Sequence, residues 1–490
     1  MMKVFKKICL GLALSTMLVQ CESSLDPEVF SEAAPDQLFS SLDGTLSILY
    51  GAYSNVAAVN TNDAADALVA EESMTDVMFT TAGAIDVWAT NFMDFILDGV
   101  GSRLYSVYWN KPYQGIRNAN NILDNIEDAN LTEAQKTLIA AEARFVRAWG
   151  YNNLYFDFGP TPLRTSTSQE LELPKASEEE MLTFIETELL AVIPDLPDPG
   201  EEELYGRAHK GAAMGLLTKF YLNTGQWQKS ADMAQDIIDL QYYELFPDYF
   251  GLFQVANEGN RELVWIRPGK ADLDRTAGIS IMNYAYPPNF ASHPPTGLTF
   301  CEGCRNFATQ LRMRNDFYNS FAADDRRASL IITEYVNSNG ETIDLSPPND
   351  NPRPFKYWPA DDIAGPSYGN DIPVIRYADI LLARAEALNR LNGPNQESID
   401  LINEVRERAG LDDLVLTDFG SAEALNEAIL IERGWEFYLE GIRRDDLIRH
   451  GEFISRAQER GNPAQPHHVR YPIPQFALDA NPVLEQNDGY

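Results

Sequence analysis

Leu38, Leu42, Thr45, Leu46, Leu49 and Tyr50 return every three or four residues along one face. That period predicts a helix over about 36–58. It recurs over about 100–128, 131–157, 177–192, 207–223, 227–240, 376–392, 396–409 and 421–441. The ends carry matching signals: Thr132 and Ser177 stand where N-caps belong, and Gly159-Pro160 and Pro194 stop the segments they follow. Strand-like alternation is confined to short runs, "ELVWIRP" at 262–268 and "IITEYV" at 331–336.

Two helix pairs share one frame. In 216–238, Tyr221, Gly225, Trp227, Ser230 and Ala234 occupy the offsets of a tetratricopeptide helix–turn–helix, and Gly393, Ser398 and Ile402 repeat it. Glycine makes the turn, and small residues let the second helix lie close on the first. Between these pairs, about 241–371 is rich in Pro, Gly, Asn and aromatics. Irregular stretches of this length are functional or disordered, and the aromatic density points to function. The expected architecture is mainly α: a helical-repeat scaffold over about 38–240 and 372–450, a loop-rich, partly β insertion carrying the ligand face, and a C-terminal strap over about 451–490, Pro-locked and extended in "YPIPQFALDANPVL".

Composition narrows the partners. The chain has 490 residues and a formal charge of −35, so it repels phosphate backbones and excludes nucleic acid as an expected partner. Lys3, Lys6 and Lys7 precede the apolar run "ICLGLALSTMLV", which is too short for a mature span of about 20 residues and fits a signal peptide over 1–20. Cys21 ends that run. A signal ending on cysteine is similar to the bacterial lipoprotein type, in which Cys21 would be acylated, although Gln20 stands where a small residue is usual. Ordinary secretory cleavage near Cys21 is the alternative. Residues 21–37 read as a polar tether.

Candidate chemistry concentrates in the insertion. Ligand recognition in such a segment takes planar rings for flat apolar faces, with amides and guanidinium groups for polar edges. Tyr284, Tyr286, Phe290, Phe300 and Trp358, with Arg305 and Asn306, supply both. Upstream, Trp88 and Asn91 are a ring and an amide three residues apart. Trp149, Trp265 and Trp435 read as packing residues. Cys301-Glu-Gly-Cys304 has three readings: a disulfide stiffening a loop, a redox pair, or half a zinc site with His293 the one nearby histidine. The disulfide is favoured by an oxidising exterior, and no metal or cofactor is expected. The carboxylates around "RYADILLARAE" and "LIERGWEFYLEGIRRDD" read as ionic bracing of helices, in preference to an acid/base pair. No zincin, nucleophile-elbow, P-loop or dinucleotide-binding motif occurs.

"IPVIRYADILLARAEALNRLNG", "INEVRERAGL", "AILIERGWEFYLEGIRRDDLIRHG" and "YPIPQFALDANPVLEQNDGY" together resemble the C-terminal half of the SusD/RagB family. "AEARFVRAWGYNNLYFDFGPTPL" and the 207–238 helix pair are similar to its N-terminal half. The resemblance implies a non-catalytic, lipid-anchored protein on the outer-membrane surface of Bacteroidetes-type bacteria. Its implied ligand is an oligosaccharide, in some members a peptide, and its implied partner a SusC-like TonB-dependent β-barrel transporter. The W-x-x-N spacing of Trp88 and Asn91 resembles part of the ligand site of the starch-binding member. A secreted glycoside hydrolase and a helical assembly factor without a small ligand are the readings from other classes.

Overall fold

The computed structural model describes residues 38–57, 62–81, 86–97, 105–271, 278–307, 311–348, 351–359, 363 and 367–490. The expected signal peptide, Cys21 and the tether lie outside these. Helices α1 (Leu42–Val56), α2 (Asn62–Ser73), α3 (Asp86–Met93), α4 (Lys111–Asn125), α5 (Glu133–Phe158), α6 (Glu178–Val192), α7 (Lys210–Asn223) and α8 (Trp227–Asp239) form the first part. Thr132 and Ser177 each close a capping box, with Gln135 and Glu180 reaching back to the cap N–H. Gly159 ends α5 at φ +74°, where a Cβ would strike the Arg470 guanidinium.

After residue 371 come α9 (Tyr377–Asn392), α10 (Gln396–Ala409), α11 (Ala422–Phe437), α12 (Arg443–Arg449), α13 (Phe453–Glu459) and α14 (Gln475–Ala480). Successive helices pack in pairs: α4 on α5, α5 on α6, α7 on α8, and α9 on α10. The small residues of the repeat frame have a visible purpose. Ser230 Oγ donates to the Thr218 carbonyl at 3.1 Å, and Ser398 Oγ to the Ala385 carbonyl at 2.9 Å. Each serine fastens the second helix of its pair to the first. Helix α8 then packs directly on α9, so the solenoid continues across the insertion as though it were absent.

The insertion leaves and returns through an antiparallel pair, β2 (Leu263–Arg267) against β10 (Ile372–Arg376). Inside it, β3 (Phe290–His293), β4 (Leu298–Thr299), β7 (Glu334–Asn337) and β8 (Thr342–Asp344) make a sheet in the order β4-β3-β7-β8. Strand β1 (Met78–Thr80) pairs with β5 (Leu311–Met313), and β6 (Ile331–Ile332) with β9 (Arg353–Pro354). The sequence run 331–336 is therefore two strands in different sheets. The apolar interior is likewise divided, one core among the helices and a second, aromatic-rich core within the insertion.

Buried charges join the two cores. Arg376, at the end of β10, donates to Glu262 and Glu436, while Arg408 of α10 meets the same two carboxylates. Arg327 of the insertion reaches Asp325, Glu432 and Glu436. Lys356 Nζ donates to the carbonyls of Glu436 and Tyr438 and to Glu440. Burial would raise the Glu436 carboxyl, but Arg408, Arg376 and Arg327 outweigh it and hold that group well below the usual carboxylate range. The bracing expected around Asp379 and Glu386 is present too, from Arg433 and Lys219 and from Arg449.

Three expectations need correction. The strap is not extended throughout: Pro474 stands at the N-cap of α14, so the proline that straightens 471–474 also launches a helix. Among the described residues, α2, α3, α12, α13 and α14 were absent from the sequence reading because they are short or polar. Trp435 is only half-buried; its Nε1 donates to Ser320 Oγ at 2.9 Å, and it lines a cleft instead of a helix seam.

Two substitutions test the buried charges in opposite directions. Glu436→Gln leaves three guanidinium groups short of a counter-charge, and chemical denaturation should show a loss of about 3–5 kcal/mol. Glu72 of α2 has no such close cations: burial, with Glu71 beside it, pushes its carboxyl up to about 8, although the Gly441 N–H donates to it at 2.9 Å and Lys356 and Arg443 act on it from further off. The unfolded chain ionises near 4.5, so this group costs stability progressively from about pH 4.5 to 8. Glu72→Gln should therefore be neutral near pH 4.5 and stabilising by on the order of 2–4 kcal/mol above pH 8, read from melting curves across that range.

Candidate functional site

The exposed chemistry of the insertion is organised by Asn283, which is fully buried. Its Oδ1 accepts from the Tyr368 hydroxyl at 2.6 Å and from the Arg305 N–H at 3.3 Å. Its carbonyl accepts from the Phe307 N–H at 2.9 Å. Asn283 thus fixes the C-terminal end of the 300–307 loop through its side-chain amide and its backbone carbonyl. Within that loop Cys301 and Cys304 are joined, with Cα atoms 5.2 Å apart and Gly303 turning the chain at φ +94°. Cys304 is buried, and its Sγ lies 3.6 Å from the Tyr286 hydroxyl.

What this loop presents outward is a small aromatic and cationic face. Phe300 is 37% exposed, and its ring stands edge-on to Tyr286 at 5.1 Å. The half-buried Tyr284 ring lies 5.1 Å from Phe307. Arg305 is exposed between them in sequence. Asn306 is half-buried and donates to the Pro287 carbonyl at 2.7 Å, so part of its amide is committed to the loop.

Two candidates fall away. Tyr286 is fully buried, packed against Phe290, Phe300 and Phe355. Phe290 is buried as well, near-parallel to Tyr335 and Phe355. Neither ring has a face left for a ligand; both build the insertion core. Trp358 is half-buried against Phe250 at 4.9 Å, and its carbonyl accepts from Asn370. Phe307 was missed by sequence reading, although it directly follows the Arg305-Asn306 pair that was singled out.

Trp88 and Asn91 lie on α3, which packs on α2, and α2 also packs on the 281–284 turn. Asn91 is exposed; the side chain of Trp88 lies outside the described residues. His293 bonds Thr296 Oγ1 through Nδ1 at 2.6 Å, and no group of three metal-ligating side chains occurs among the described residues.

A family model described as "SusD family" matches residues 353–490, and one described as "Starch-binding associating with outer membrane" matches residues 34–222. SusD-like protein P25 of Formosa agariphila is 29% identical over 431 residues, 78% of each chain. The starch-binding protein SusD of Bacteroides thetaiotaomicron is 26% identical over 431 residues, 76% of each chain. Among solved structures, a laminarin-binding SusD-like protein superposes with a TM-score of 0.78 at 24% identity, covering 92% of this chain and all of the other. Surface glycan-binding protein A of Bacteroides thetaiotaomicron, bound to laminarihexaose, gives 0.75 at 20% identity, covering 91% and 99%. With matches at both ends of the chain in order and a shared helical fold, the chain is similar to the SusD/RagB family over most of its length.

Proposed function

We propose that the protein is a cell-surface glycan-binding lipoprotein, anchored through Cys21, that captures oligosaccharides and passes them uncleaved to a TonB-dependent β-barrel partner. The observation that carries this reading is the face formed by Phe300, Tyr284–Phe307 and Arg305. An exposed phenyl ring and an exposed arginine on one loop, which is pinned by a covalent bridge and a buried amide, supply what a pyranose needs: a flat apolar partner and a forked donor. Pre-ordering of the loop lowers the entropy cost of binding a flexible chain.

Relatives support the ligand class. One is a starch-binding protein, and another holds laminarihexaose. Capture without cleavage fits the loop's chemistry, since it carries one carboxylate, Glu302, where glycoside hydrolysis takes two. The family description that mentions the outer membrane supports the location, and two or three acyl chains on Cys21 would make a stable anchor.

Titration calorimetry with laminarihexaose and maltoheptaose tests the site. Phe300→Ala and Arg305→Ala should each weaken the bound sugar by about 5–30-fold, on the order of 1–2 kcal/mol, without lowering the melting temperature. Wild-type protein should release no new reducing ends. Unchanged affinity in both variants, or cleavage of the sugar, would remove the proposal.

A further inference from the structure

A second cleft lies on the helical scaffold, between α4, the 162–171 segment and α14. Its volume, about 680 Å³, is in the range of ligand sites. Its walls are mixed. Trp109 and Tyr113 pack ring to ring at 5.2 Å, and the Tyr113 hydroxyl donates to the Pro162 carbonyl at 3.0 Å, holding the ring against the wall. Leu171, 82% exposed, and Phe476 form an apolar rim.

The charge of this cleft opposes that of the chain. Against 73 acidic residues in the whole sequence, not one Asp or Glu is among the described residues that line it, while Arg117 and Arg164 both do. Arg164 is held by the carbonyls of Glu170 and Leu171. Arg117 is exposed and has no hydrogen bond or ion pair among the described residues. The carboxylate just outside, Asp124, is occupied by the Ser166 hydroxyl and by the N–H and hydroxyl of Thr167.

A second, independent feature is Asn481 of the lining. It is buried, its Nδ2 is spent on the Leu173 carbonyl at 2.7 Å, and its Oδ1 has no donor. A buried acceptor without a donor costs free energy that a ligand O–H can recover. The cleft therefore offers a free guanidinium group for an anion, beside two aromatic rings, and just beneath its surface an unsatisfied acceptor that a ligand hydroxyl reaches when the Asn481 amide turns outward. A fatty acid supplies the first and not the second; a neutral sugar supplies the second and not the first.

We infer that this cleft is a binding site for acidic oligosaccharides, with Arg117 receiving a uronate carboxylate and Asn481 a ring hydroxyl. It is separate from the Phe300 face and rests on the glycan-capture reading only in taking the ligand to be a sugar.

The test uses the full-length chain in detergent, with tetragalacturonate, its carboxyl-reduced neutral counterpart and laminarihexaose as probes. Tetragalacturonate should bind at least tenfold more tightly than the reduced tetramer, and 0.5 M NaCl should narrow that gap. Arg117→Ala should abolish the preference and Arg117→Lys should restore part of it. Asn481→Leu should weaken both tetramers, and Phe300→Ala should leave tetragalacturonate binding unchanged. Equal affinity for the two tetramers, or indifference to Arg117→Ala, overturns the inference while laminarihexaose binding leaves the proposed function standing. Failure of every sugar overturns both. Arg117-dependent capture of a hexapeptide with a free C-terminus, in the absence of tetragalacturonate binding, overturns it in favour of a peptide site.

Discussion

The guanidinium–carboxylate cluster around Glu436 is the constraint on which the rest of the structure depends. Helices of a solenoid can stack by apolar contact alone, but a long insertion between two of them has no such fixed place. Here Glu262, Asp325, Arg327 and Lys356 of the insertion interlock with Arg376, Arg408, Glu432 and Glu436 of the scaffold, all buried. Desolvating so many charges is costly and is recovered only when every partner is in place. The cluster therefore specifies one placement of the insertion, and with it the orientation of the ligand face.

The same polar seam separates two kinds of core. The helical core is filled mainly by aliphatic side chains from regularly spaced positions. The insertion core adds a denser set of rings, Tyr286, Phe290, Tyr335, Phe355, Tyr357 and Tyr368 among them, set between Ile, Leu and Met side chains. A sheet of short strands offers little aliphatic surface, and large rings close the gap with few residues.

This explains which parts were legible in the sequence. Helices α4 to α11 repeat their apolar positions over many turns, and Ser230 and Ser398 mark the close approaches within the pairs. Such signals are local. The roles of Tyr286 and Phe290 are not local: in a Pro- and Asn-rich stretch they look like exposed ligand rings, and only contacts with Phe355 and Tyr335, far along the chain, bury them. Phe300 has the same composition around it and stays exposed, because the Cys301–Cys304 loop lifts it to the edge of the cluster. Asn283, which pins that loop, carries no sequence signal, since its effect lies wholly in where its amide points. The acid-free cleft was equally hidden, being assembled from three segments, around residues 109–120, 162–171 and 476–484.

The return of the chain through β2 and β10 has an evolutionary consequence. Because the ends of the insertion meet, added or deleted residues inside it alter loop-closure entropy only logarithmically and leave the contact of α8 with α9 untouched. Lineages can then exchange the ligand face at small thermodynamic risk, provided the charged anchors survive. Divergence in such a chain should be steepest between those anchors and slow at them, so that one scaffold supports a succession of specificities.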